Sequence, residues 1–230
     1  MSLVIAYVEP ERALLGVDTL VHGADGSSGH VTKLLALPHI GAVIAVNGLM
    51  PLQQALAAAL FLAQGVDSLV ATMAPSCTRL LETVKQQFAK SGQPTAIFSE
   101  EISEVVLVGW SPQRKQMIAR RCLQRAPGRP FELERIDRSF AQPWSEELEK
   151  LPAPSSPAAM ETIARAQCAL LAEHDPVRCA GGRLILVELA PGRIQVDTMC
   201  ELPKRSSAPL SVAPMLTALV PDCGRAVHDC

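Results

Sequence analysis

Aromatic residues are scarce in this chain: two Trp, one Tyr and five Phe among 230 residues. So few rings leave little for nucleic-acid bases to stack on, and a formal net charge of −2 supplies no general pull toward phosphate backbones or anionic membranes. Neither a nucleic-acid partner nor a membrane partner is expected. Charged residues make up only 19% of the chain against 48% apolar residues, yet no apolar run reaches the ~18 residues of a membrane-spanning helix. The N-terminus lacks a basic region, and Glu9, Glu11, Arg12 and Asp18 interrupt its apolar residues, so no signal peptide is read and a cytoplasmic location is expected. The seven cysteines are odd in number and show no Cys-x-x-Cys spacing. Neither a zinc site nor a secreted disulfide framework is indicated, and most of them are expected to be buried as small hydrophobes.

What is present is ample core material in a pattern of strands. Leu3 to Val8 and Ala13 to Leu20 are apolar runs joined by Glu9-Pro10-Glu11-Arg12, which predicts a hairpin. A third run, Leu34 to Val46, ends at Asn47-Gly48, a dipeptide suited to positive φ. The loop between the second and third runs is rich in Gly and Ser and is expected to be exposed, mobile and placed to rim a cleft. Its glycines are followed by no Gly-Lys-Ser or Gly-Lys-Thr, so they do not form a phosphate loop.

Four residues on this frame form a set suited to acyl transfer. Ser2 becomes the first residue if Met1 is removed, and its hydroxyl then lies beside a free α-amine with an ordinary pKa of about 7.7 to 8.0, a usable base near neutral pH. Asp18 falls in the second strand, Lys33 opens the third run and Gly48 follows it. In this set Ser2 is the nucleophile, and Lys33 biases the amine toward its neutral form. Asp18 holds Lys33, and the Gly48 N–H is an oxyanion donor.

This spacing resembles that of the N-terminal-nucleophile hydrolases of the proteasome β-subunit type. There a mature N-terminal Thr, Ser or Cys is followed by Asp, Lys and Gly about sixteen, thirty-two and forty-six residues later, and Ser2, Asp18, Lys33 and Gly48 match within one residue. The opening MSLVIAY and the length look more like the stand-alone homologues, one branch of which, the connectase type, joins peptides as well as cutting them. The resemblance implies an α+β fold, a four-layer αββα sandwich of two antiparallel sheets between helix layers. It also implies a peptidase or peptide-ligase activity on a peptide or amide substrate, with no cofactor and no metal, and possible self-association into a homo-oligomer.

The rest of the chain is read in the same terms. Residues 1–202 are expected to form one domain and 203–230 a Pro- and Ser-rich extension. A helix is predicted over Pro51–Leu62 and a second over Leu69–Lys90, capped by Asp67-Ser68 and bent at Pro75. A second hairpin is predicted from Val105–Trp110 and Gln116–Leu123, followed by an edge strand, Phe131–Ile136, that alternates Phe131, Leu133 and Arg135 against Glu132, Glu134 and Ile136. Residues 139 to 157 read as irregular. A helix from Pro157 to about Glu173, ended by His174-Asp175-Pro176, and a last hairpin, Arg183–Leu189 with Arg193–Met199, complete the reading.

Departures from the family pattern concern its supporting residues. The mid-chain Ser-Gly has no counterpart; Ser139 is the nearest Ser but lacks the Gly. Before Gly181-Gly182, Ala180 stands where the family has Ser, and Asp175 lies too far back to serve as the family's Asp. Two rival readings stand beside the acyl-transfer site. One is a catalytically silent assembly or binding module, favoured if Met1 is retained. The other is an ordinary metabolic enzyme whose site would need His22, His30 and Asp18 to converge.

Overall fold

The structure is a computed structural model that describes residues 2–22, 28–143, 145–174 and 180–203. The strands and helices follow in chain order as β1 (Val4–Val8), β2 (Ala13–Asp18), β3 (Leu20–His22), β4 (Ser28–His30), β5 (Leu34–Leu37), β6 (Ala42–Asn47), α1 (Met50–Leu60), α2 (Val66–Lys90) and α3 (Ile97–Glu100). The second half holds β7 (Glu104–Ser111), β8 (Gln116–Gln124), β9 (Phe131–Ile136), β10 (Ser139–Gln142), α4 (Glu146–Glu149), α5 (Pro157–His174), β11 (Arg183–Ala190) and β12 (Arg193–Glu201). No helix among these residues is long and apolar enough to cross a membrane.

Two five-stranded antiparallel sheets, ordered β10-β1-β2-β11-β12 and β5-β6-β7-β8-β9, stack face to face. Each also carries helices on its outer face, so the central strands are buried on both sides and are apolar at nearly every position. The period-two geometry of a strand sorts those residues into layers. Along β1, Val4, Ala6 and Val8 face the second sheet, while Ile5 and Tyr7 pack beneath α5 with Met160, Ile163 and Leu171. In β6, Val43 and Ala45 face the first sheet, and Ala42, Ile44 and Val46 meet Leu52 and Leu56 of α1 and Met73 and Leu81 of α2. The result is the four-layer αββα sandwich.

Local chemistry explains where the elements depart from the sequence reading. The run Ala13–Leu20 breaks at Thr19, and Leu34–Val46 is interrupted by a 3₁₀ turn, Pro38–Ile40, closed by Gly41 at φ 65°. Helix α2 starts at Val66 with Gly65 as N-cap, not at an Asp67-Ser68 cap. Asp67 turns instead to the β7–β8 connection, accepting from Ser111 Oγ (2.6 Å) and the Gln113 N–H (3.4 Å). Pro75 lies within the helix on an exposed position. The Ala71 carbonyl it leaves unpaired is on that exposed side as well, where water can satisfy it.

Strand β9 does not alternate as expected. Only its end residues Phe131 and Ile136 are buried, because Glu132, Leu133 and Arg135 all lie at the sheet edge. Residues 139–157, read as irregular, contain edge strand β10, paired with β1, and the short helix α4, capped by Ser145. Of the cysteines, Cys77, Cys122 and Cys168 are buried and Cys200 is partly so, all as free thiols. The hydrogen bond with Cys122, and after it burial, push the Cys77 thiol far up from its ordinary pKa. The Gly/Ser loop at 23–27, Asp175 and the extension from 204 onward lie outside the described residues.

Candidate active site

The site is assembled at the ends of three strands. Ser2 is partly exposed immediately before β1, and Asp18 ends β2, antiparallel to it. That pairing sets Asp18 across from Leu3, so its carboxylate reaches the backbone beside Ser2. Asp18 Oδ1 accepts the Leu3 N–H at 2.9 Å and the Lys33 ammonium at 2.7 Å, and Oδ2 accepts the Gly181 N–H at 3.1 Å. One oxygen thus joins the residue after Ser2 to Lys33, and Nζ lies at most two hydrogen-bond lengths from the Leu3 nitrogen.

Asp18 is 0% exposed and Lys33 2%. An ion pair this dry holds only because the carboxylate also takes two backbone N–H groups, since desolvation of two charges costs several kcal/mol per ion. Burial, the dominant influence, lowers the Lys33 pKa from 10.5, while the Asp18 charge and hydrogen bond pull it back up. Lys33 stands just outside the β5–β6 ladder. Its carbonyl accepts the Val46 N–H at 3.0 Å, and the Thr32 carbonyl before it accepts Gln53 Nε2 at 2.8 Å.

Gly48 follows β6 with φ 105°, a region that side-chain-bearing residues rarely occupy. A Cβ there would lie 2.6 Å from the Ile102 carbonyl oxygen and 3.0 Å from Ser103 Cα. Its N–H donates to no partner among the described residues, which leaves it available to a ligand. Gly48→Ala is therefore expected to lower stability by about 3 kcal/mol or more, read by urea denaturation. A loss under about 0.5 kcal/mol, the range of a neutral surface change, would show that neither φ nor space demands glycine here.

Sequence reasoning noted Gly181-Gly182 but missed what it does. The Gly181 amide, 163 residues from Asp18, is the third ligand of the carboxylate. Gly182, at φ 79°, lies where a Cβ would be 2.6 Å from both Thr19 Oγ1 and His30 Nδ1. Thr19 Oγ1 accepts the Arg183 N–H at 2.9 Å and stands 3.1 Å from His30 Nδ1, to which the hydroxyl donates in the tautomer that carries its proton on Nε2. Gln53 was also missed; a Gln among Leu52 and Leu56 on a helix was the available signal.

Other sequence candidates fall elsewhere. Ser139 pairs with Tyr7, at the end of β1 remote from Ser2, because the β1–β10 register brings Gln142, not Ser139, opposite Val4. It cannot take the part of the family's supporting Ser. Ala180 is buried and brings no hydroxyl. Of the set His22, His30 and Asp18, Asp18 is occupied by Lys33 and two amides, and His30 faces Thr19. Among the described residues no group of three or more His, Cys, Asp or Glu is placed to hold a metal ion.

A groove of about 740 Å³ runs along β10 and is lined by Arg121, Phe140, Gln142, Leu151 and Pro154 among others. Gln142 is paired with Val4, two residues from Ser2.

No family model and no curated protein matches the sequence. Solved structures do. A Gly-1 mutant of Anbu from Hyphomicrobium sp. strain MC1 is 11% identical, with 95% of this chain and 94% of that one covered and a TM-score of 0.56. Anbu from Yersinia bercovieri, described as an ancestral beta-subunit, is 12% identical over 86% of this chain and 88% of that one, with a TM-score of 0.57. At such identities the likeness is one of backbone architecture. The chain shares the proteasome-like, four-layer αββα sandwich fold of these proteins.

Proposed function

We propose that this chain is an amide-bond enzyme that uses Ser2 as an N-terminal nucleophile once Met1 has been removed. Ser2 Oγ attacks a carbonyl carbon while its proton passes to the α-amine, and the Gly48 N–H stabilises the oxyanion that forms. The α-amine then returns the proton to the leaving nitrogen, the C–N bond breaks and an ester on Ser2 remains. Water resolves the ester to an acid, or a second peptide amine resolves it to a new amide. The first outcome makes a peptidase and the second a connectase-like ligase.

The observation that carries this reading is the double role of Asp18 Oδ1, which joins the backbone beside Ser2 to the Lys33 ammonium. The cation favours the neutral, proton-accepting form of an amine close to it. The groove along β10 is within the size range of small-molecule sites, roughly 300–1,000 Å³, but none of Ser2, Asp18, Lys33 and Gly48 lines it, so it does not enter this reading.

The test is intact mass spectrometry after incubation with a β-lactone, whose ring opens on the serine hydroxyl and adds its full mass. Protein lacking Met1 is expected to gain one adduct, mapped to Ser2, and protein retaining Met1 none. Met1-free protein that stays unlabelled would sink the proposal and leave the silent binding module as the reading of this fold.

A further inference from the structure

Gln53 is a polar residue on the buried side of α1, 9% exposed, next to the core residues Leu52 and Leu56. Its Nε2 donates to the Thr32 carbonyl, while its Oε1 is buried with no donor among the described residues. An aliphatic side chain would fill the same space without leaving an acceptor unpaired. What glutamine adds is the one bond to Thr32.

That bond ties together two parts of the site. Helix α1 begins two residues after Gly48, and Thr32 immediately precedes Lys33. Lys33 lies outside the β5–β6 ladder, so its two flanking carbonyls are held one by the Val46 N–H and one by Gln53. We infer that Gln53 is a positioning residue that clamps the Lys33 segment to the helix carrying Gly48, fixing the ammonium relative to the oxyanion donor. The inference rests on the Ser2 reading for its catalytic meaning, but its structural content concerns Lys33 alone.

The experiment replaces Gln53 with Met, similar in length and without a donor, in the full chain. Lys33 is followed by ¹³Cε-lysine NMR titration, which is tractable with six lysines in the sequence. With the Thr32 carbonyl released, water reaches Nζ and relieves the burial that holds its pKa down. The Lys33 midpoint is expected to rise by about one pH unit toward that of an exposed lysine, and β-lactone acylation of Ser2 to slow roughly tenfold. The same change at the exposed neighbour Gln54 is expected to alter neither.

Gln53→Glu is the second variant, and it serves if Gln53→Met does not fold. Its carboxyl donates to Thr32 only while protonated, so its acylation rate relative to the parent protein is expected to fall as pH rises through that titration. A Lys33 midpoint unchanged in Gln53→Met, or a pH-independent relative rate in Gln53→Glu, overturns the inference. Parent protein that is never acylated overturns the proposed function alone, because the Lys33 titration still decides the role of Gln53.

Discussion

Alanine at position 18 is expected to lower stability by about 3 to 5 kcal/mol, enough to unfold much of the population of a marginally stable domain. The carboxylate is fully buried and accepts three donors, one of them charged. Its removal leaves the Lys33 ammonium dry and unpaired, and strands the Leu3 and Gly181 amides. The ends of β1 and β2 and the approach to β11 then lose the group that joins them. Urea denaturation of Asp18→Ala measures the loss, and the double variant Asp18→Ala, Lys33→Met separates the stranded charge from the other effects. The double variant is expected to recover part of the loss, because no cation is left buried. A double variant no more stable than Asp18→Ala would show that the charge is not what makes the site costly to break.

Ser2→Ala is the second large effect, and it is on chemistry rather than on the fold. Acylation by the β-lactone is expected to fall roughly 10³-fold or more, since loss of a nucleophile removes the step that every other group supports. Stability is expected to change by less than about 0.5 kcal/mol, because Ser2 is partly exposed and lies before β1 rather than within the ladder. Ser2→Cys is expected to keep acylation, since a thiolate can take the same place. Undiminished acylation in Ser2→Ala, with the adduct mapped elsewhere, would move the nucleophile away from Ser2.

The contrast between the two substitutions separates scaffold from chemistry. Asp18 is deep within the packing of β1, β2 and the Gly181 segment, whereas Ser2 sits at the edge of that packing.

Much of this organisation was legible along the chain because its determinants are local. The hairpin of β1 and β2 is written in two apolar runs around Glu9-Pro10-Glu11-Arg12. Gly48 was recognisable because Asn-Gly favours positive φ, and the backbone there does adopt φ 105°. Helices α1 and α5 follow from a Pro in the first turn and apolar residues at helical spacing. Local signals failed where a distant partner competed for the same group. Asp67 reads as a helix cap but spends its carboxylate on Ser111 and Gln113. Strand β10 has too few apolar residues to announce itself and exists because β1 offers it an edge.

The sequence by itself determined the layered, apolar strands and the spacing of Ser2, Asp18, Lys33 and Gly48, because periodicity and turn chemistry act between near neighbours. Only the tertiary structure decided that Asp18 meets Lys33 and the Gly181 amide, that Gln53 holds Thr32, and that Ser139 lies away from Ser2. Those contacts depend on strand register and on bringing residue 181 beside residue 18. A buried carboxylate must find donors somewhere, but which ones it finds is set by how the whole sandwich packs.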